Sequence, residues 1–191
     1  MWLFFFPLLL GFILNSASAF TTAYSSRWDD RAGQRASFIL RVALGMPLWT
    51  LGLGLAMRTP AAMLLPFDPV REAFGWLLVA AGCAPMLWGL GALGLRAAMP
   101  SRRDTLVVQG LYAHVRHPIH AGMFLEFAGL ALLRPTALVV VACALGIIWM
   151  LVQTRLEERD LLQRMPGYGA YMDRVPRFLP RLRGRRPETP V

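Results

Sequence analysis

Every histidine in this 191-residue chain lies within one nine-residue stretch, HVRHPIHAG, as His114, His117 and His120. Imidazoles three residues apart, with carboxylates elsewhere, are the donor types of a zinc or iron site. Pro118 argues against that use. A proline disfavours helical backbone at the residue before it and favours the first position of a helix. A helix should therefore begin at Pro118, and His114 and His117 need not share a face with His120. No metal is expected on this reading. A second chemical segment, RLEERDLLQR, carries Glu157 and Glu158 side by side. On one helix they stand about 100° apart, so one of the two faces directly inward. Such carboxylates accept hydrogen bonds from hydroxyl or ammonium groups. Arg155 beside them offers the guanidinium fork that suits a carboxylate ligand. The plainer alternatives are an exposed Arg155–Glu158 pair of little energetic weight, and Arg116 and His117 as interfacial residues at a helix start.

The elements that must hold these residues are membrane helices. The chain is 56% hydrophobic and only 16% charged, against about a quarter charged in soluble domains. A transmembrane helix needs roughly 20 apolar residues. Five stretches qualify or nearly so: residues 2–20, 37–57, 73–95, the short 119–133, and 136–154. Arg134-Pro135 separates the last two, which predicts a helical hairpin. The hairpin would bring HVRHPIHAG and RLEERDLLQR together at one membrane face. The expected organisation is helices one to three in residues 1–95, a core in 96–182 and a basic tail in 183–191.

The formal net charge is +9, and all twenty basic residues are arginine. They sit in short loops and the tail beside apolar runs, where they set topology; nucleic acid is not an expected partner. Five spans place seventeen of the twenty on one face, which is then cytoplasmic, with the N-terminus outside. NSASAF around residues 15–20 resembles a signal-peptide cleavage site, but no positive charge precedes the apolar run, so a retained helix is expected. Cys83 and Cys143 lie in apolar runs and read as packing residues. WGLGALG, residues 88–94, places Gly89 and Gly91 where small residues serve helix packing or close approach of a ligand. Glu126, a carboxylate within the short span, either faces a pocket or pairs with an arginine such as Arg96.

Taken together, GLYAHVRHPIHAG, a hairpin, RLEERDLLQR, then GYGAY and VPRFLP resemble the isoprenylcysteine carboxyl methyltransferase family and its phospholipid-methylating relatives. The similarity covers roughly residues 101–182, and its motifs occur in order at compatible distances. It implies an all-α polytopic membrane methyltransferase using S-adenosylmethionine without a Rossmann domain, with a lipophilic or lipid acceptor. The residues it carries over to the cofactor pocket are Arg116, His117, Pro118, Gly122, Glu157 and Glu158, with Tyr112 and Tyr171 less directly. The family has tyrosine two positions after the proline, where this chain has His120; a ring and a hydrogen bond remain available there. A carboxylate acceptor would be placed by Arg155, whereas an amine acceptor would need a base such as glutamate or His120. The sequence leaves the two open, along with a metal-binding or non-catalytic protein on the same scaffold.

Overall fold

The computed structural model describes residues 3–181; the expected basic tail, 183–191, lies outside the described residues. The fold is all-helical apart from one isolated antiparallel bridge, Met63 to Thr136. Helix α1 spans Phe5–Ala17 and α2 Thr21–Arg27, with a bend of 61° between them. Helix α3, Asp30–Phe38, runs through a π-helical turn, Ile39–Gly45, into α4, Met46–Arg58. Helix α5 covers Pro69–Leu93 and α6 Pro118–Leu133. Helix α7 covers Ala137–Arg164, and α8 is the short Tyr168–Arg174.

Three helical stretches are long and apolar enough to cross a membrane: Asp30–Arg58, Pro69–Ala97 and Ala137–Arg164. The bent α1–α2 pair makes up to four. Helix α6 is apolar but has only 16 residues, about 24 Å of rise, short of a hydrocarbon core of about 30 Å. The expected five spans thus become several clear spans plus a short helix. Exposed apolar side chains such as Phe6, Leu51, Phe74, Leu77 and Ile148 coat the outside, as in a multi-pass membrane protein.

Lipid tails are as apolar as leucine, so helices inside a bilayer associate by close packing of small residues rather than by expelling water. Glycines spaced by seven do this between α5 and α6. A Cβ added at Gly82 would stand 2.5 Å from the Gly122 carbonyl, and one at Gly129 would stand 2.6 Å from the Gly75 carbonyl. Gly89 continues the seam against Ile119 and Pro118. Three residues, 134–136, join α6 to α7, and Phe127 of α6 lies against Gly146 of α7. On the opposite flank α1 packs on α4 and α7. The Phe12 and Trp149 rings stack at 4.4 Å, and the Trp149 indole donates to the Ser16 hydroxyl at 3.1 Å. Cys143 is buried in this core, and both cysteines are free.

Helix starts follow local chemistry. Pro118 is the first residue of α6, as its ring geometry predicts. Asp68 caps α5 by accepting from the Val70 N–H, and Thr136 caps α7 by accepting from the Val139 N–H. Helix α7 has 28 residues, about 42 Å, so its last turns extend past a 30 Å core. Those turns carry Glu157 and Glu158.

Candidate functional site

Two segments far apart in sequence zip together at the end of α7. The Arg116 N–H donates to the Pro176 carbonyl at 2.9 Å, and the His117 N–H to the Arg177 carbonyl at 3.0 Å. VRHP and VPRF are thereby aligned side by side over the helix end. Gly167, with φ of 83°, supplies the left-handed residue that turns the chain into α8. From α8 the Tyr171 hydroxyl donates to the Tyr112 carbonyl at 2.6 Å. The Tyr112 hydroxyl in turn reaches the Gly89 carbonyl at 3.4 Å. Burial pushes the Tyr171 phenol up to about 12 and raises Tyr112 and Tyr168 further still. These hydroxyls stay neutral donors at any physiological pH.

Glu158 is the keystone of this assembly. Its Oε1 accepts from Arg116 Nε at 3.0 Å, from His117 Nε2 at 3.2 Å and from Arg177 Nε at 3.1 Å; its Oε2 accepts from Arg177 Nη2. Arg116 spends its remaining donors on the Met172 and Val175 carbonyls, at 2.7 and 2.5 Å. The Glu158 side chain is 4% exposed, and a buried carboxylate needs such partners to remain charged.

Glu157 faces the other way, into a cavity of about 440 Å³, within the roughly 300–1,000 Å³ usual for small-molecule sites. Its Oε1 accepts from Arg41 Nη2 and from Gln153 Nε2, each at 2.9 Å. Its Oε2 lies 4.0 Å from His117 Nδ1. The His117 and His120 rings are 5.5 Å apart. Arg41 also donates to the Ser18 hydroxyl and the Ala97 carbonyl, both at 3.0 Å. It sits on the π-turn between α3 and α4, a widened turn of the kind that recurs at functional sites.

The cavity has two ends of different character. Arg41, His117, His120, Glu157, Asp104 and Arg164 line the polar end. Met46, Trp49, Met86, Leu90, Met123 and Trp149 line the apolar end, joined by Thr50 and Glu126. Met46 and Leu90 line the cavity and are also 43% and 39% exposed. An apolar mouth therefore opens between α4 and α5. Two lining residues carry buried polar atoms without a partner among the described residues, Trp49 Nε1 and Glu126 Oε1.

Of the residues singled out from the sequence, Tyr112, Arg116, His117, His120, Glu157 and Tyr171 line the cavity. Pro118, Gly122 and Glu158 do not: Pro118 packs on Gly89, Gly122 on the Gly82 backbone, and Glu158 is enclosed by its arginines. Arg155 is exposed on the outer face of α7 and is not brought to the site. The Arg155–Glu158 pair does not form among the described residues, although the two are three apart on α7, because Glu158 is buried and already bonded to Arg116, His117 and Arg177. Glu126 faces the cavity rather than Arg96, whose guanidinium reaches Thr105 instead. His114 is exposed. Arg41, Arg177 and Gln153 were missed. Arg41 had one signal, a charge within an apolar run; Arg177 lay in plain view within VPRFLP.

A polar pocket among apolar helices long enough to cross a membrane marks a multi-pass membrane protein with a cavity of small-molecule size. The model of the phospholipid methyltransferase family matches residues 70–169, just over half the chain, and the chain belongs to that family. The cobalt-zinc-cadmium resistance protein CzcN of Cupriavidus metallidurans is 32% identical over 111 residues, covering 52% of this chain and 51% of its own length. The chain thus spans about half the length of that curated relative. No solved structure matches it.

Proposed function

We propose that this protein transfers a methyl group from S-adenosylmethionine to a lipophilic acceptor held in the α4–α5 mouth. The observation that carries the reading is the two-ended cavity, with Glu157, His117 and His120 at the polar end and an apolar passage leading outward. The residues present fit such a donor. Glu157 Oε2 is free to accept from ribose hydroxyls or the donor's ammonium. Arg41 and Gln153 fix the carboxylate through its other oxygen. Tyr112 and Tyr171 wall the pocket. Arg116 lines it while holding Glu158, and Pro118, Gly122 and Glu158 act behind it, fixing the backbone and the His117 ring. When bound, the donor supplies a sulfonium methyl open to in-line displacement. The acceptor's lone pair forms the new bond to carbon, and the departing sulfur keeps the electrons of the broken one. The chain's contribution is alignment in a dry pocket.

The cavity favours an amine acceptor over a carboxylate. Of the arginines lining it, Arg41, Arg116 and Arg164 already spend donors on Glu157, Glu158, Asp160, Asp104 and backbone carbonyls, Arg96 turns to Thr105, and Arg155 lies outside. Glu126, whose Oε1 has no hydrogen-bond partner among the described residues and whose carboxylate has the Cys83 thiol beside it, would hold an ammonium group and take its proton. The arginine-rich loops put the polar end on the cytoplasmic side. Calorimetry of the purified protein in detergent tests the reading: S-adenosylmethionine should bind, and Glu157→Gln should weaken binding at least about tenfold, the loss of one charge-assisted hydrogen bond. No binding by the wild type would sink it. Membranes supplied with labelled donor should then yield a labelled amine lipid, whereas a labelled ester would reverse the acceptor assignment.

A further inference from the structure

The polar end of the cavity holds three side chains whose free lone pairs converge. His117, His120 and Glu157 each offer one ligand atom, and these atoms all lie within 4.8 Å of one another. No hydrogen bond occupies His120 among the described residues. With its proton on Nε2, facing Glu158 at 3.2 Å, His117 keeps the Nδ1 lone pair toward Glu157. Both hydrogen bonds to Glu157 fall on Oε1, which leaves Oε2 open. We propose that His117, His120 and Glu157 form a binding site for a divalent transition-metal ion of the zinc or cobalt class, and that the ion keeps the methyl donor out.

Two imidazoles and one carboxylate, with a fourth position open, make a recognised zinc donor set. A histidine that gives its second N–H to a carboxylate is the usual outer support of such a set, because it fixes the tautomer and the ring; Glu158 does this for His117. Gln153 and Arg41 orient Glu157 in the same manner. Bonds of about 2.0–2.1 Å in a tetrahedron place ligand atoms about 3.3 Å apart. The side chains must therefore draw in on binding, from separations of up to 4.8 Å. The Arg41 charge beside Glu157 opposes a cation. It makes the ion a reversible effector rather than a permanent structural component. His114 plays no part, and the proline that separates it from His120 does not prevent His117 from meeting His120. The position is also the one at which this chain has histidine where the family it resembles has tyrosine.

The regulatory half of the inference rests on the methyl-transfer reading, because the ion would use the Glu157 oxygen assigned there to the donor; the binding half does not. Purified full-length protein, stripped with chelator in detergent, is titrated with zinc or cobalt chloride alone. Elemental analysis should find one ion per chain, and cobalt should show the intense visible absorption of a four-coordinate site. His120→Tyr should abolish both, with thermal unfolding as the check on folding; Glu157→Gln, nearly isosteric, should weaken binding at least tenfold. His114→Ala should leave it unchanged. Absence of a stoichiometric ion, or an ion retained in His120→Tyr, or lost in His114→Ala, overturns the site. Saturating zinc should weaken S-adenosylmethionine binding at least tenfold, and unchanged affinity overturns the exclusion. Metal-free protein that fails to bind the donor sinks the methyl-transfer reading alone, since the ion titration is read independently.

Discussion

Glu157 and Glu158 are adjacent and chemically identical, yet their surroundings give them opposite duties. Glu158 satisfies two guanidiniums and an imidazole within the protein, so its removal leaves Arg116 and Arg177 facing each other without a counter-charge. Breaking a buried ion pair from one side costs about 3–5 kcal/mol. Glu158→Ala should therefore lower the thermal unfolding temperature in detergent markedly. Glu157→Gln keeps an acceptor for Arg41 and Gln153 in a more exposed pair, so it should lower it less than Glu158→Ala while reducing donor binding. Equal stability of the two variants would show that Glu158 is no keystone. Tyr171 offers a pH-dependent case. Its pKa is raised by burial to about 12, so the neutral form is the one the fold favours. The corresponding stability is complete below the ordinary phenol value of about 10 and declines as pH rises toward 12. Tyr171→Phe should cost about 0.5–1.5 kcal/mol at neutral pH through the lost hydrogen bond to Tyr112. It should also flatten the alkaline loss of stability, as read by unfolding at pH values from neutral to 11.

Helices α5 and α6 meet through backbone rather than side chains, and glycine alone permits that distance. At Gly122 a Cβ would meet the Gly82 carbonyl and come within 3.1 Å of the Met86 N–H. Both are backbone atoms that cannot swing aside. Gly122→Ala should destabilise by about 1–3 kcal/mol, the range for overpacking a tight contact. Gly91, two residues beyond the seam, has nothing within 4 Å. Gly91→Ala should leave stability unchanged or raise it by up to about 1 kcal/mol, from helix propensity. Comparative unfolding of the two variants checks the assignment, and similar losses in both would contradict it. The seam also sets the site, because it fixes Pro118, and hence His117 and His120, against α5.

Across the whole molecule, the cavity draws on both ends of the chain: Asn15 and Arg41 from the early helices, His117 and His120 from the start of α6, and Glu157 from α7. On the proposed reading, an acceptor arriving from lipid passes Met46 and Thr50 on α4 or Leu90 on α5. Filling that passage with Thr50→Trp should raise KM for a lipid acceptor several-fold and leave donor affinity within twofold. A parallel loss of donor binding would place the entrance elsewhere.

Much of this was legible in the residues themselves. Apolar runs mark spans because a bilayer leaves a backbone little choice but to be helical. Pro118 marks a helix start because its ring fixes φ and lacks an N–H. The motif order from HVRHP to VPRFLP points to one site, since its members recur at compatible spacing. Other features depended on tertiary contacts. Arg41 enters the pocket only because the π-turn and the α1–α4 crossing aim it there, and Arg177 matters only because VPRF pairs with VRHP. Arg155 looked equivalent to either, but it stays exposed on α7 while Glu158, only about 60° around the helix, is taken up by Arg116, His117 and Arg177. Spacing along the chain specified which elements carry charge; the rotation of each helix, set by glycine contacts and buried ion pairs, decided which charges meet.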